Sequence, residues 1–343
     1  MMADAVRATQ KVGGIGAGAW GTTLARMLAD KGLHVRLWAY EREVVEAIRN
    51  KQENTLFLPG VRLPQSLSPT TSLAEALQDR DLLVFAVPSH AARAVLRKMA
   101  PHLSGAIPLV SATKGIEEDT LKLMSQVIQE TLPSGMHHSV AVLSGPSFAV
   151  EVCMGRPTAV LLAGEDVELV RRLQALVMTP FFRVYAGTDL IGVQLGGALK
   201  NVIALAAGVV DGLGLGHNAR AALITRGLAE MIRLGTMMGA DPRTFYGLSG
   251  MGDLVLTCTG PLSRNYTVGL RLGKGDKLQE ILKETHAVAE GVRTSRAALG
   301  LAVRCGVEMP IVREVCAVLF EGKPPQRAVT DLMVRAAKDE TIN

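Results

Sequence analysis

Aromatic residues make up only 4% of this 343-residue chain, and cysteine occurs four times. A core with so few rings must be built from aliphatic side chains and closely packed small residues, and 35 glycines supply the small end. Cys153, Cys258, Cys305 and Cys316 are scattered, without metal or redox spacing, and read as reduced thiols. The seven histidines are dispersed except for His137-His138, which lack a cysteine or acid at ligand spacing, so no metal site is expected. The net charge of +5 comes without a basic run or interleaved aromatics, which argues against a nucleic-acid partner. The longest apolar runs, Leu82 to Val87 and Val202 to Val210, are too short to span a bilayer. Met1 to Lys11 lacks the apolar stretch of a signal peptide, so a cytoplasmic protein with no integral membrane segment is expected. Neither a G-x-S-x-G element nor a phosphate-loop G-x-x-x-x-G-K-[ST] is present.

The remaining composition is that of an ordinary globular protein, with 48% hydrophobic and 20% charged residues, and its length allows two domains. Short apolar runs alternate with amphipathic helical segments through the first half. Val12–Ile15, His34–Trp38, Leu82–Val87, Ile107–Ser111, Val140–Leu143 and Thr158–Leu162 read as strands, with Phe182–Tyr185 as a last one. Ala91–Ala100 and Thr120–Thr131 read as helices between them. Such alternation predicts an α/β fold with a parallel, doubly wound sheet. Beyond about Asp189 helical periods dominate: 192–210, 219–238, 241–246, 278–283, 293–304, 310–320 and 326–338. The expected organisation is a dinucleotide-binding domain over residues 1–190 and an all-helical domain over 191–343.

Gly16-Ala17-Gly18-Ala19-Trp20-Gly21 follows the first strand and opens a helix. In that setting G-x-G-x-x-G binds a dinucleotide: Gly16 allows the turn, Gly18 lets a pyrophosphate reach the backbone, and Gly21 lets helix and strand pack closely. Gly13 and Gly14 are poor strand formers inside the same strand and question its stability. The second strand ends at Ala39-Tyr40-Glu41-Arg42, without an acid at the immediate strand end. Arg42 near that position favours NADP, whereas Glu41 could hold the ribose of NAD.

Other strand ends carry Val87-Pro88-Ser89-His90, Ser111-Ala112-Thr113-Lys114-Gly115 and Leu143-Ser144-Gly145-Pro146-Ser147, where ligands of open α/β sheets bind. Lys114 reads as a candidate for a substrate oxygen or phosphate, although a surface lysine is the default. Lys200 is more unusual. It sits in an apolar helix whose neighbours three and four positions away, Gly196, Gly197, Ile203 and Ala204, offer no charge partner. Burial there lowers a lysine pKa towards that of a working base; the alternative is an amine that snorkels to water. Asp253 lies beside flexible glycines in Gly250-Met251-Gly252-Asp253-Leu254. Ser263-Arg264-Asn265 combines a hydroxyl, a guanidinium and an amide, suited to a phosphate or to a helix cap.

Taken together, the chain resembles the NAD(P)-dependent glycerol-3-phosphate dehydrogenases in their bacterial form. The resemblance rests on Gly16–Gly21, Ser111-Ala-Thr-Lys-Gly-Ile116, Leu143-Ser-Gly-Pro-Ser-Phe-Ala149 and Gln194-Leu-Gly-Gly-Ala-Leu-Lys-Asn-Val202. It continues through Asn218–Leu228, Gly252-Asp-Leu254, Ser263-Arg-Asn265 and Ala289-Glu-Gly291, in family order. It implies that Lys200 is the proton acceptor, and that Lys114, Gly145, Ser147, Lys200, Asp253, Ser263, Arg264 and Asn265 line the glycerol 3-phosphate site. It further implies that Ala19, Trp20, Tyr40, Lys114, Ala149, Arg264, Val288 and Glu290 meet the cofactor, NADP or NAD with NADP favoured. Supply of glycerophospholipid synthesis and a homodimer complete the expectation. A 2- or 3-hydroxy-acid dehydrogenase and a nucleotide-binding sensor without turnover are the alternatives.

Overall fold

The computed structural model describes residues 10–103, 105–284, 289–337 and 339–340. They form two compact units. One holds the chain up to Thr113 with Ser125–Leu143 and Ser147–Thr188; the other holds Lys114–Met124, Ser144–Pro146 and the chain from Asp189 onward.

The first unit is built on an eight-stranded sheet. Its strands are β1 (Lys11–Ile15), β2 (His34–Trp38), β3 (Leu67–Thr70), β4 (Leu82–Phe85), β5 (Leu109–Ser111), β6 (Val140–Ser144), β7 (Thr158–Gly164) and β8 (Phe182–Gly187). Their order is β3-β2-β1-β4-β5-β6-β7-β8. From β3 to β6 each neighbouring pair is parallel, as are β7 and β8. The chain runs outward from β1 through β2 to β3 and returns to β4 on the other side of β1. That reversal opens a crevice at the carboxyl end of β1, where ligands of doubly wound sheets bind. β4 and β6 are buried along their whole length, as expected of strands covered on both faces.

Two local features differ from the pattern read in the sequence. β3 is Leu-Ser-Pro-Thr, with no apolar run. It lies at the edge of the sheet, where Pro69 sacrifices no ladder hydrogen bond to a further strand. Gly13 is a packing requirement rather than a weakness. A Cβ at Gly13 would lie 2.5 Å from the Ala76 carbonyl oxygen and 2.8 Å from Leu83 Cδ2, so the helix Leu73–Leu77 sits directly against the strand.

From Asp189 onward the described residues of the second unit form helices and turns, packed around the 23-residue helix Leu190–Gly212. By length and composition this helix could cross a membrane, yet 89% of its most apolar stretch is buried in the protein. Asp189 caps it, accepting from Gly192 N at 2.8 Å, and holds Asp241 N at 3.0 Å with its other oxygen. The helix Arg264–Gly273 packs against it backbone to backbone. A Cβ at Gly273 would lie 2.6 Å from the Val209 carbonyl oxygen, and one at Gly269 would collide with that of Leu205.

Glu230 is the least expected buried group. It is 2% exposed on the helix Gly216–Met237 and accepts from Ile311 N at 2.7 Å and Val312 N at 3.2 Å. It thus caps the helix Pro310–Phe320, whose first residue has no N–H to offer. Burial pushes its carboxyl up to about 7, against the two amides and the nearby Arg233 and Arg335, which pull it down. The folded chain then holds a proton that the unfolded chain releases near 4.5, so this group makes stability fall as pH rises from about 4.5 through 7. The loss amounts to about 3 kcal/mol at most. Urea unfolding of Glu230→Gln should lack that slope; an unchanged slope would assign it to another group.

Candidate active site

The glycine-rich turn leaves β1 at Gly16, whose φ of +105° is open to glycine and few other residues. A Cβ there would lie 2.6 Å from the Ala86 carbonyl oxygen, and one at Gly21 would run into the carbonyl of Gly16 itself. Gly18 differs: nothing in the protein lies within 4 Å of where its Cβ would be. Two glycines therefore serve the fold, and the third leaves space above the backbone. The helix Ala19–Asp30 starts at Gly18 without a side-chain cap and with no acid in its first turn. Those first amides, next to the open cradle, fit a dinucleotide pyrophosphate. Buried Asn54, which the sequence did not single out, pins the turn by donating to Ala17 O at 2.8 Å and Thr22 Oγ1 at 2.9 Å. Trp20 Nε1 is buried without a hydrogen-bond partner. Gly18→Ala should fold with unchanged stability and lose cofactor affinity, whereas Gly21→Ala should lose stability. Thermal unfolding with and without NADPH separates them, and equal destabilisation of both would contradict a ligand-shaped cradle.

Beyond β2, Ala39 is buried and Tyr40 is 77% exposed, available to stack on a bound group. Arg42 is exposed and pairs with Glu46 at 3.1 Å. Ala149 starts the helix Ala149–Cys153, and its carbonyl accepts from Thr23 Oγ1 at 3.4 Å. Ser147, half-buried, precedes it. Val288 lies outside the described residues.

In the helical unit, Lys200 is 7% exposed and Asp253 1%. Lys200 Nζ donates to Asp253 Oδ1 at 2.5 Å and to Thr257 Oγ1 at 2.9 Å. Lys114 Nζ donates to Asp253 Oδ2 at 2.7 Å and to the Gly145 carbonyl at 3.3 Å. Lys200 thus does find a counterion, but from another helix rather than its own neighbours. Asp253 opens the helix Asp253–Thr259, which follows a single wide turn at Leu248–Gly252. Gly196 makes this approach possible, because any side chain there would strike the Ser249 carbonyl. Gly197 likewise clears a path for Ser144, whose Oγ would lie 2.6 Å from a Cβ at that position.

Burial brings the Lys200 ammonium down to about 8; Asp253 opposes the fall and Lys114 adds to it. The nearby Cys258 thiol is pushed up to about 12 by its own burial and stays neutral. Two cations share one carboxylate, which leaves one uncompensated positive charge in a largely dry place. Such a cluster stabilises an incoming oxyanion and holds a lysine close to its point of proton exchange.

Ser263 caps the helix Arg264–Gly273, its Oγ accepting from Tyr266 N at 3.2 Å. Arg264 occupies the first helical position at the surface, yet neighbouring protein desolvates its guanidinium enough to lower its pKa, with Glu290 opposing the fall. A cation at a helix N-terminus opposes the helix dipole, and a bound anion would resolve that conflict. Asn265 is buried, donates to Asn201 Oδ1 at 3.0 Å and accepts from Gly291 N at 2.9 Å. It therefore fastens the starts of two helices, those carrying Arg264 and Glu290, to the helix carrying Lys200. Among the described residues, no group of histidines, cysteines and acids could hold a metal ion.

The sheet order and its glycine-rich turn are those of NAD(P)-dependent oxidoreductases. The family model for the N-terminus of NAD-dependent glycerol-3-phosphate dehydrogenase matches residues 11–170, and that for its C-terminus matches 189–330. The chain belongs to this family. Glycerol-3-phosphate dehydrogenase [NAD(P)+] of Geobacter metallireducens is 58% identical over 331 residues, covering 96% of this chain and 99% of that protein. The protein of the same name from Geobacter sulfurreducens is also 58% identical, over 97% of this chain and 99% of its own length. The crystal structure of glycerol-3-phosphate dehydrogenase from Coxiella burnetii superposes with a TM-score of 0.91 at 39% identity, covering 95% and 99% of the two chains.

Proposed function

We propose that this chain catalyses reversible interconversion of dihydroxyacetone phosphate and sn-glycerol 3-phosphate, with Lys200 exchanging the proton at the reacting oxygen. The shared contact of Lys200 and Lys114 with buried Asp253 carries this reading. A bound NADPH or NADH supplies the hydride to the carbonyl carbon. In reduction, the Lys200 ammonium gives its proton to the oxygen as negative charge develops; in oxidation, its neutral amine takes that proton back. With a pKa of about 8, both forms are present near neutrality. Asp253 keeps enough ammonium for the forward step, and Lys114 lends a second positive charge to the oxygen. Arg264, Ser263 and the first amides of their helix hold the phosphate, assisted by Asn265, Gly145 and Ser147.

On this reading the glycine-rich turn Gly16–Gly21, with Tyr40 and Ala149 of the same unit, receives the cofactor, and the resemblance adds Lys114, Arg264, Val288 and Glu290 as expected contacts. The absence of an acid immediately after β2 and the presence of Arg42 favour NADP over NAD. Four free thiols suit a reducing cytoplasm. The product is the backbone of glycerophospholipids, which supports a supply role. A homodimer is part of the same reading, with Leu215, Met237 and Leu262 among the exposed apolar side chains of the helical unit. Oxidation of NADPH and NADH, followed separately with dihydroxyacetone phosphate, tests the reading. Cofactor oxidation that requires this ketone supports it. Turnover of a 2-keto acid in its place overturns it.

A further inference from the structure

Residues Lys114–Met124 follow β5 in the chain yet belong to the helical unit. A helix was expected from Thr120, but it begins at Met124. The preceding residues form a small looped hairpin. Ile116 and Leu123 bridge antiparallel, Glu117 N donates to Lys122 O at 3.0 Å, and Leu121 N donates to Glu117 O at 2.9 Å. Leu121 has a φ of +58°, a conformation that crowds a branched side chain and normally falls to glycine or asparagine. Such strain persists only where the surroundings impose it.

Those surroundings are one helix, Glu290–Cys305, and the core behind it. Leu121 packs against that core, and Ile116 and Leu123 are buried in it. The missing side chain of Gly300 makes room, since a Cβ there would lie 3.2 Å from both Leu121 methyl carbons. Arg304 donates from Nη1 to Thr120 O and from Nη2 to Leu121 O, each at 3.3 Å, and Arg293 Nη1 meets Glu118 Oε1 at the same distance. Lys114 stands at the root of this anchored loop. Next to it Gly115 has a φ of +150°, a conformation that residues with a side chain rarely adopt.

We propose that Leu121 and Arg304 are positioning residues: by pinning the loop to the helix Glu290–Cys305 they hold the Lys114 ammonium on Asp253, and so set the field at Lys200. The inference rests on the reading of Lys114, Asp253 and Lys200 as the reacting cluster. Released from its anchor, the loop would relax at Leu121 and swing at Gly115, and Lys114 would leave Asp253. Lys114 holds the acidity of Lys200 up, so its withdrawal moves proton release by Lys200 to higher pH.

The test follows kcat/KM for dihydroxyacetone phosphate against pH in Leu121→Gly, Arg304→Ala, Lys114→Ala and the double variant Leu121→Gly/Lys114→Ala. Leu121→Gly accepts the positive φ and removes only the anchoring side chain. It should lower kcat/KM about tenfold or more, on the scale of a small misplacement of a catalytic group. It should also move the alkaline limb of the profile upward, as Lys114→Ala does. The double variant should resemble Lys114→Ala, because both changes remove one interaction. Arg304→Ala carries the same test if Leu121→Gly does not fold. A loss of rate with an unmoved limb, or additive losses in the double variant, overturns the inference while leaving the site intact. An unmoved limb in Lys114→Ala itself overturns the reading of the cluster and the inference with it.

Discussion

Lys200→Met is expected to lower kcat with dihydroxyacetone phosphate by about 10³-fold, the middle of the range for a general acid, with little change in cofactor affinity. Methionine matches the length of the lysine stem and suits the apolar helix face around it. The change removes a buried cation and leaves Asp253 paired with Lys114 at 2.7 Å. Folding stability in urea should therefore hold or rise. The wild-type enzyme should also show the pH signature of this amine. In the reductive direction kcat/KM should be steady below about 8 and fall above it, as Lys200 of the free enzyme loses the proton it must donate. Turnover within a few fold of wild type in Lys200→Met would remove the central residue from the mechanism.

Asp253→Asn should be the more damaging change to the protein as a whole. Its carboxylate serves both Lys200 and Lys114 and is 1% exposed. Neutralising it leaves two ammonium groups facing each other without a counterion. Breaking a buried ion pair from one side costs about 3–5 kcal/mol, most of it from the stranded charge. The pH effect has a definite sign. Asp253 holds the Lys200 pKa up, so its loss lets that pKa fall below about 8 and moves the alkaline limb of reduction to lower pH. This is opposite to the shift expected when Lys114 is removed. Urea unfolding and pH profiles of Asp253→Asn and Lys114→Ala, measured side by side, check both statements. Limbs that move in the same direction would mean that the two groups do not act on Lys200 as an opposed pair.

Much of this was readable in the chain because it is local. The alternation of strands and helices, the glycine-rich turn after β1 and the odd lysine in an apolar helix each lie within one short window. The helices Asp253–Thr259 and Arg264–Gly273 were not readable in the same way. Glycines and hydroxyls flank both, so they pass for polar loops, and packing against Leu190–Gly212 decides their shape. The cluster itself joins residues 53 and 139 positions apart, which no periodicity connects. Asn54, which clamps the glycine-rich turn, carries no local signal at all. Glu230 is similar: a carboxylate on one helix serves the first amides of another 81 residues away. Pro69 hid β3 because a proline argues against a strand until the strand proves to be an edge.

The glycines along Leu190–Gly212 and its neighbour bear on how this enzyme could be engineered. Replacing a helical glycine by alanine is a common route to heat resistance, worth about 1 kcal/mol where the site is open. At Gly196, Gly208, Gly269 and Gly273 the added carbon would meet main-chain atoms of a neighbouring segment. Wedges at these points would prise the segments that carry Asp253 and Arg264 away from the helix that carries Lys200. A thermostable variant is better sought at Gly32, Gly60 or Gly105, where the added carbon meets nothing, by residues that tolerate the positive φ of those turns, such as asparagine.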